Sequence, residues 1–69
     1  MQYTVIFEKS QNGFGAYVPD LPGCVAVGDT LEETSQLVRE AIELHLEDMR
    51  ATGQVIPEPS TFSQLVEVA

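Results

Sequence analysis

The sequence predicts an α+β domain: a three-stranded antiparallel meander, one long helix packed on the sheet, and a short fourth strand. Three observations carry that prediction. Through the first 28 positions apolar residues alternate in short runs, the period of a half-buried strand. After Gly28 the period becomes that of a helix and holds to Thr52. A capping signature opens the helical stretch and a glycine closes it.

The first strand is read over Tyr3–Lys9, with Tyr3, Val5 and Phe7 on one face and Thr4, Ile6 and Glu8 on the other. Ser10-Gln11-Asn12-Gly13 follows, and Asn-Gly is a hairpin signal because both residues tolerate positive φ. The second strand, Phe14–Val18, therefore returns antiparallel, with Phe14, Ala16 and Val18 sharing a face. Pro19-Asp20-Leu21-Pro22-Gly23 interrupts it with two prolines and a turn glycine. Val25-Ala26-Val27 is a third short run, closed by Gly28.

The helix has marked ends. Thr30-Leu31-Glu32-Glu33 fits a capping box, in which Thr30 accepts from the Glu33 amide and Glu33 reaches back to Thr30. Asp29, Glu32 and Glu33 suit the positive end of the helix dipole. Gly53 stands where a glycine ends a helix, and Pro57 and Pro59 prevent its resumption. Projected at about 100° per residue, Leu31–Thr52 separates into faces. Leu31, Val38, Ile42, His45, Leu46 and Met49 are expected on the sheet. Glu32, Gln36, Glu40, Glu43 and Glu47 gather on the opposite side. Leu37, Ala41 and Leu44 form a second apolar stripe beside the acids, which a helix on a small sheet does not need for its own core. Beyond the prolines, Leu65-Val66-Glu67-Val68 alternates as a fourth strand, paired either in the parent sheet or with a neighbouring subunit.

Sixty-nine residues are expected to form one domain, residues 1–69. A chain this short buries only about 60% of its unfolded surface, so self-association is expected. Eleven acids against three bases leave a net charge of −8. Lys9, Arg39 and Arg50 cannot build a basic patch, which argues against direct nucleic-acid binding. Such a surface attracts basic partners, although acidity also serves solubility alone. One cysteine, Cys24, excludes an intrachain disulfide. The N-terminal residues do not read as a signal peptide and no run approaches a membrane span, so a cytoplasmic location is expected.

Enzyme chemistry finds no footing in the motifs. No serine sits in a nucleophile-elbow turn. Cys24 and His45 have nothing in sequence to bring them together, and each is more simply a packed residue. The helical acids line one solvent face rather than converging on a metal cavity, and HExxH and phosphate loops are absent. A non-catalytic chain without cofactor or metal, acting through protein–protein contact, is the expected function class.

Gly15-Ala16-Tyr17-Val18-Pro19-Asp20-Leu21-Pro22-Gly23-Cys24, followed by Gly28-Asp29-Thr30-Leu31-Glu32-Glu33, resembles the HicB-like antitoxin family. Ala41-Ile42-Glu43 and Ile56-Pro57-Glu58-Pro59 extend the resemblance, which spans roughly residues 3 to 68. It implies a β-β-β-α-β, partial ribonuclease H-like fold without the nuclease carboxylates. It also implies the function of a type II antitoxin that masks HicA, a small basic mRNA-cleaving toxin. Many members carry a further DNA-binding domain, and these residues correspond to the short form without it. Asp20, Leu21, Pro22, Gly23, Gly28, Asp29 and Thr30, with Glu33, are then structural motif residues. Glu40, Glu43 and Glu47 are the expected toxin contacts, and Leu37 and Leu44 the expected self-association residues of a dimer or tetramer. An orphan scaffold module and a degenerate nuclease are the alternatives.

Overall fold

A computed structural model describes residues 1–69 as β1 (Ile6–Ser10), β2 (Gly13–Tyr17), β3 (Val25–Gly28) and α1 (Leu31–Ala51). The strands form one antiparallel sheet in the order β1-β2-β3. The expected meander followed by one long helix is therefore present.

Two strand details differ from expectation. β1 begins at Ile6 rather than Tyr3. Ile6 pairs with Tyr17, the last residue of β2. Beyond it the Val18 amide turns away to the Cys24 carbonyl (3.1 Å), and Pro19 has no N–H, so Tyr3–Val5 find no ladder partner. The hairpin turn is Gln11-Asn12, because Ser10 already pairs with Gly13. Only Gly23 and Gly53 have positive φ. Gly13 is needed for another reason: a Cβ there would collide with the Gly28 carbonyl of the neighbouring β-strand end.

The loop between β2 and β3 closes on itself. Leu21 donates its amide to Val18 (3.0 Å) and accepts at its carbonyl from Cys24 (3.0 Å). These bonds turn the Leu21 side chain inward, where it is completely buried. With Ala16, Val18, Cys24 and Val38 it makes up the core, against which Tyr3, Val5, Ala26, Ala41, Ile42, Leu46 and Met49 pack.

The α1 N-terminus follows the capping expectation with one change. Thr30 Oγ1 accepts from the Glu33 amide (3.0 Å), but Glu33 Oε1 accepts from Asp29 N–H (2.7 Å) rather than from Thr30. At the other end Gly53 N–H donates to Arg50 and Gln54 N–H to Met49, at 3.2 and 2.9 Å. That is a Schellman ending, with Gly53 in the left-handed conformation at φ +74°.

The inward face of α1 is also shifted slightly. Ala41 packs on the core instead of joining an outer stripe, and Leu31 is half exposed. Thr34, which apolar periodicity passes over, is fully buried and satisfies its hydroxyl on the Thr30 carbonyl (2.7 Å). It lies against Gly28, where an added Cβ would come within 2.6 Å of Thr34 Oγ1. Gly28 thus lets α1 close onto β3. The helix covers β2 and β3 and leaves β1 at the uncovered side.

The expected fourth strand does not form in this sheet. Residues 55–69 make no backbone–backbone hydrogen bond, and Leu65, Val66 and Val68 are exposed. Pro57 and Pro59 remove donors, and the segment is held through side chains instead. Tyr3 Oη donates to the Pro57 carbonyl (2.5 Å) and Thr4 Oγ1 to the Thr61 carbonyl (2.6 Å).

Candidate partner-binding surfaces

Residues four and seven apart in a helix share a face, because each advances about 100° around the axis. Glu40 and Glu47 therefore fall within about 20° of each other, opposite the buried Val38 and Met49 side. Both are exposed, as is Glu43. Glu43 lies about 60° to one side, at the rim of an open groove beside the N-terminal residues. Glu40 Oε2 accepts from Gln36 Nε2 (3.0 Å), a bond along the helix surface. Leu37 and Leu44 flank the acids on the other side and are exposed, Leu44 by 67%. The expected toxin contacts and the expected self-association residues thus lie side by side on one solvent-facing surface of α1.

Sequence reasoning treats Asp20 as a turn residue, and the fold gives its carboxylate a further role. Oδ2 accepts from the amides of Ser60 (2.9 Å) and Thr61 (3.0 Å), while Oδ1 accepts from their hydroxyls at 3.2 and 2.6 Å. Hydrogen bonding from the Thr61 side chain and amide, and from Ser60, holds this carboxyl down at about 2. Nearby, burial pushes the Tyr3 phenol up, with the Glu58 and Asp20 charges adding to the effect. The ionised Asp20 is therefore a clamp that fixes the C-terminal segment beside Tyr3 and Thr4.

A further surface is missed by reading the helix alone. Val25 and Val27 alternate with the inward Ala26, so they point away from α1 and are 61% and 77% exposed. Tyr17 stands opposite Val25 and pairs with Ile6 across the sheet. One helix covers one sheet face, and that arithmetic alone would have marked Val25 and Val27 as uncovered. Of the other motif residues, Leu21, Pro22 and Gly23 lie in the β2–β3 loop, Gly28 ends β3, and Asp29, Thr30 and Glu33 lie at the start of α1. Leu21 is part of the core, and Asp29, Thr30 and Glu33 make the hydrogen bonds of the helix cap.

Cys24 is buried and its thiol is pushed up by that burial, which disfavours the nucleophilic thiolate. No three His, Cys, Asp or Glu side chains group to hold a metal ion. No helix is long and apolar enough to cross a membrane.

Residues 3–69 match the family model described as the HicB-like antitoxin of bacterial toxin–antitoxin systems. The chain is 36% identical over 66 residues to a 14.9 kDa protein from the rep–hol intergenic region of Haemophilus phage HP1. It is likewise 36% identical over 73 residues to antitoxin HicB 2 of Photorhabdus laumondii. These alignments cover 96% and 99% of this chain but only 50% of each relative, so the chain spans about half their length. Among solved structures, a chain of the HicA3 and HicB3 toxin–antitoxin complex superposes with a TM-score of 0.73 at 32% identity. That match covers 87% of this chain and 70% of the other. Sequence, fold and motif agree: the chain belongs to the HicB-like antitoxin family.

Proposed function

We propose that this chain is the antitoxin of a type II pair and masks a small, basic, mRNA-cleaving toxin of the HicA type in the cytoplasm. The observation that carries this reading is its likeness to a chain of a toxin–antitoxin complex at 32% identity. The charge supports it. A toxin that binds RNA must present cations to phosphates, and a partner with net charge −8 competes for those cations. On this reading Glu40, Glu43 and Glu47 contact the toxin, residues 1–69 act as one domain, and the chain is not an enzyme. A partial ribonuclease H-like topology, with a fourth strand paired either within the chain or with a second copy, belongs to the same proposal.

Reversal of all three glutamates to lysine is expected to weaken toxin binding by about ten- to a hundredfold, since each exposed pair contributes about 0.2–1 kcal/mol. It should also flatten the salt dependence. Titration with purified toxin measures both, and an unchanged affinity removes this helix face from the interface. Leu37 and Leu44 are proposed to support a dimer or tetramer, so Leu37→Glu with Leu44→Glu should reduce the oligomer in sedimentation. Labelled RNA incubated with this chain and Mg²⁺ or Mn²⁺ should stay intact, which tests the non-catalytic reading. A pull-down from the native cells at low and then moderate salt should recover a small basic protein whose RNA cleavage this chain stops. Recovery of the chain alone would favour a self-associating module without a toxin.

A further inference from the structure

β1 is an edge strand, and α1 leaves it uncovered. Between the N-terminal residues and the helix lies an open groove of about 890 Å³, floored by Tyr3, Val5, Phe7, Val38 and Ile42. No comparable groove flanks β3. The unpaired edge and the apolar floor together have the form of a site for one more strand.

A segment whose apolar residues alternate as in a strand starts at the rim of that groove. The Asp20 clamp holds Ser60 and Thr61 there, and Pro59 to Phe62 form part of its wall. From Phe62 onward the chain pairs with no strand of its own sheet. Phe62, Val66 and Val68 share one face by alternation, are 71–83% exposed, and have no backbone partner.

The surface area shows that something is uncovered. A folded monomer of 7.6 kDa should expose about 4,300 Å². This chain exposes 5431 Å², an excess of about 1,100 Å² that exceeds the roughly 800 Å² each partner buries in a standard interface. Its radius of gyration is 13.4 Å, against about 11 Å for a globule of this length. The protruding segment and the long helix both contribute.

We propose that Phe62–Val68 of each chain adds as a strand to the free β1 edge of a second copy, with Val66 and Val68 entering the groove beside Phe7. Each copy offers both the strand and the groove, so a two-fold axis satisfies both at once. This exchange is independent of the toxin reading and of the Leu37 and Leu44 surface.

The test uses the full chain, compared with Val66→Pro and with the double variant Val66→Ser, Val68→Ser. These side chains are exposed in the single chain, so far-UV circular dichroism should report unchanged helix in both. Sedimentation should show a wild-type dimer whose dissociation constant rises at least about tenfold with the proline, which removes a ladder donor and fits poorly within a sheet. Amide exchange should show β1 protection beyond the β2 ladder in the wild type, lost in Val66→Pro. A wild-type monomer at NMR concentration would overturn the proposal. β1 amides that exchange equally in wild type and Val66→Pro would also overturn it, as would an oligomer that survives both tail variants in a Leu37→Glu, Leu44→Glu background.

Discussion

Four hydrogen bonds converge on the Asp20 carboxylate from Ser60 and Thr61, about forty residues further along the chain. Because they favour the ionised form, its folded value near 2 lies below the ordinary 3.8. The stabilisation is therefore fully present above pH 3.8 and is lost as the pH falls from there through about 2. The Thr61 amide resonance should report this release, and Asp20→Asn should abolish that titration. At neutral pH, Asp20→Ala should speed proteolysis of the C-terminal segment while leaving the helix signal intact. Leu21 acts at the same scale through packing. Its side chain is completely buried, so Leu21→Ala should cost about 3 kcal/mol in urea unfolding. A chain of this length has only about 3–10 kcal/mol in all.

At the scale of the element, α1 depends on its ends and on one close approach. Thr30→Ala removes the acceptor for the Glu33 amide and should destabilise by about 1 kcal/mol, with Thr30→Ser restoring most of it. Gly28→Ala acts on docking rather than on the helix itself. Its Cβ would press on Thr34 Oγ1 at 2.6 Å and on the Thr34 amide at 3.0 Å. Thr34 is fully buried, so the strain cannot be relieved by swinging a free side chain. A loss of about 1–3 kcal/mol is expected, read as a lower urea midpoint at unchanged slope.

For the whole molecule, charge sets opposite salt dependences for the two associations proposed above. Two copies with net charge −8 repel, so self-association should strengthen as salt is raised toward the range where the Debye length is about 8 Å. Binding of a basic toxin should weaken over the same range. Sedimentation and toxin titration in one salt series would measure both slopes, and slopes of the same sign would contradict one of the two assignments. The small core makes association consequential: only seven of 69 residues are buried, while apolar surface remains open on α1, on the outer sheet face and in the C-terminal segment.

The order of elements and both ends of α1 were legible in the sequence because they are written in local signals. Thr30 meets Glu33 three residues on, Gly53 closes on Arg50, and apolar periodicity selects Val38, Ile42, Leu46 and Met49 for the core. The acidic face was legible for the same reason, since it is the remainder of that projection. Only the tertiary structure decided where β1 begins, which residues make the hairpin turn, and why Gly13 and Gly28 are glycines. Each of these depends on what a second strand or the helix brings alongside. It also decided the fate of the C-terminal segment. The alternation of Leu65–Val68 marks a strand-forming segment, but pairing needs a partner edge. Asp20 and Thr4 hold the preceding residues through side chains, leaving that segment without a partner in its own sheet. Local propensity can mark what a segment is able to form; contacts between residues more than forty positions apart decide whether it forms there.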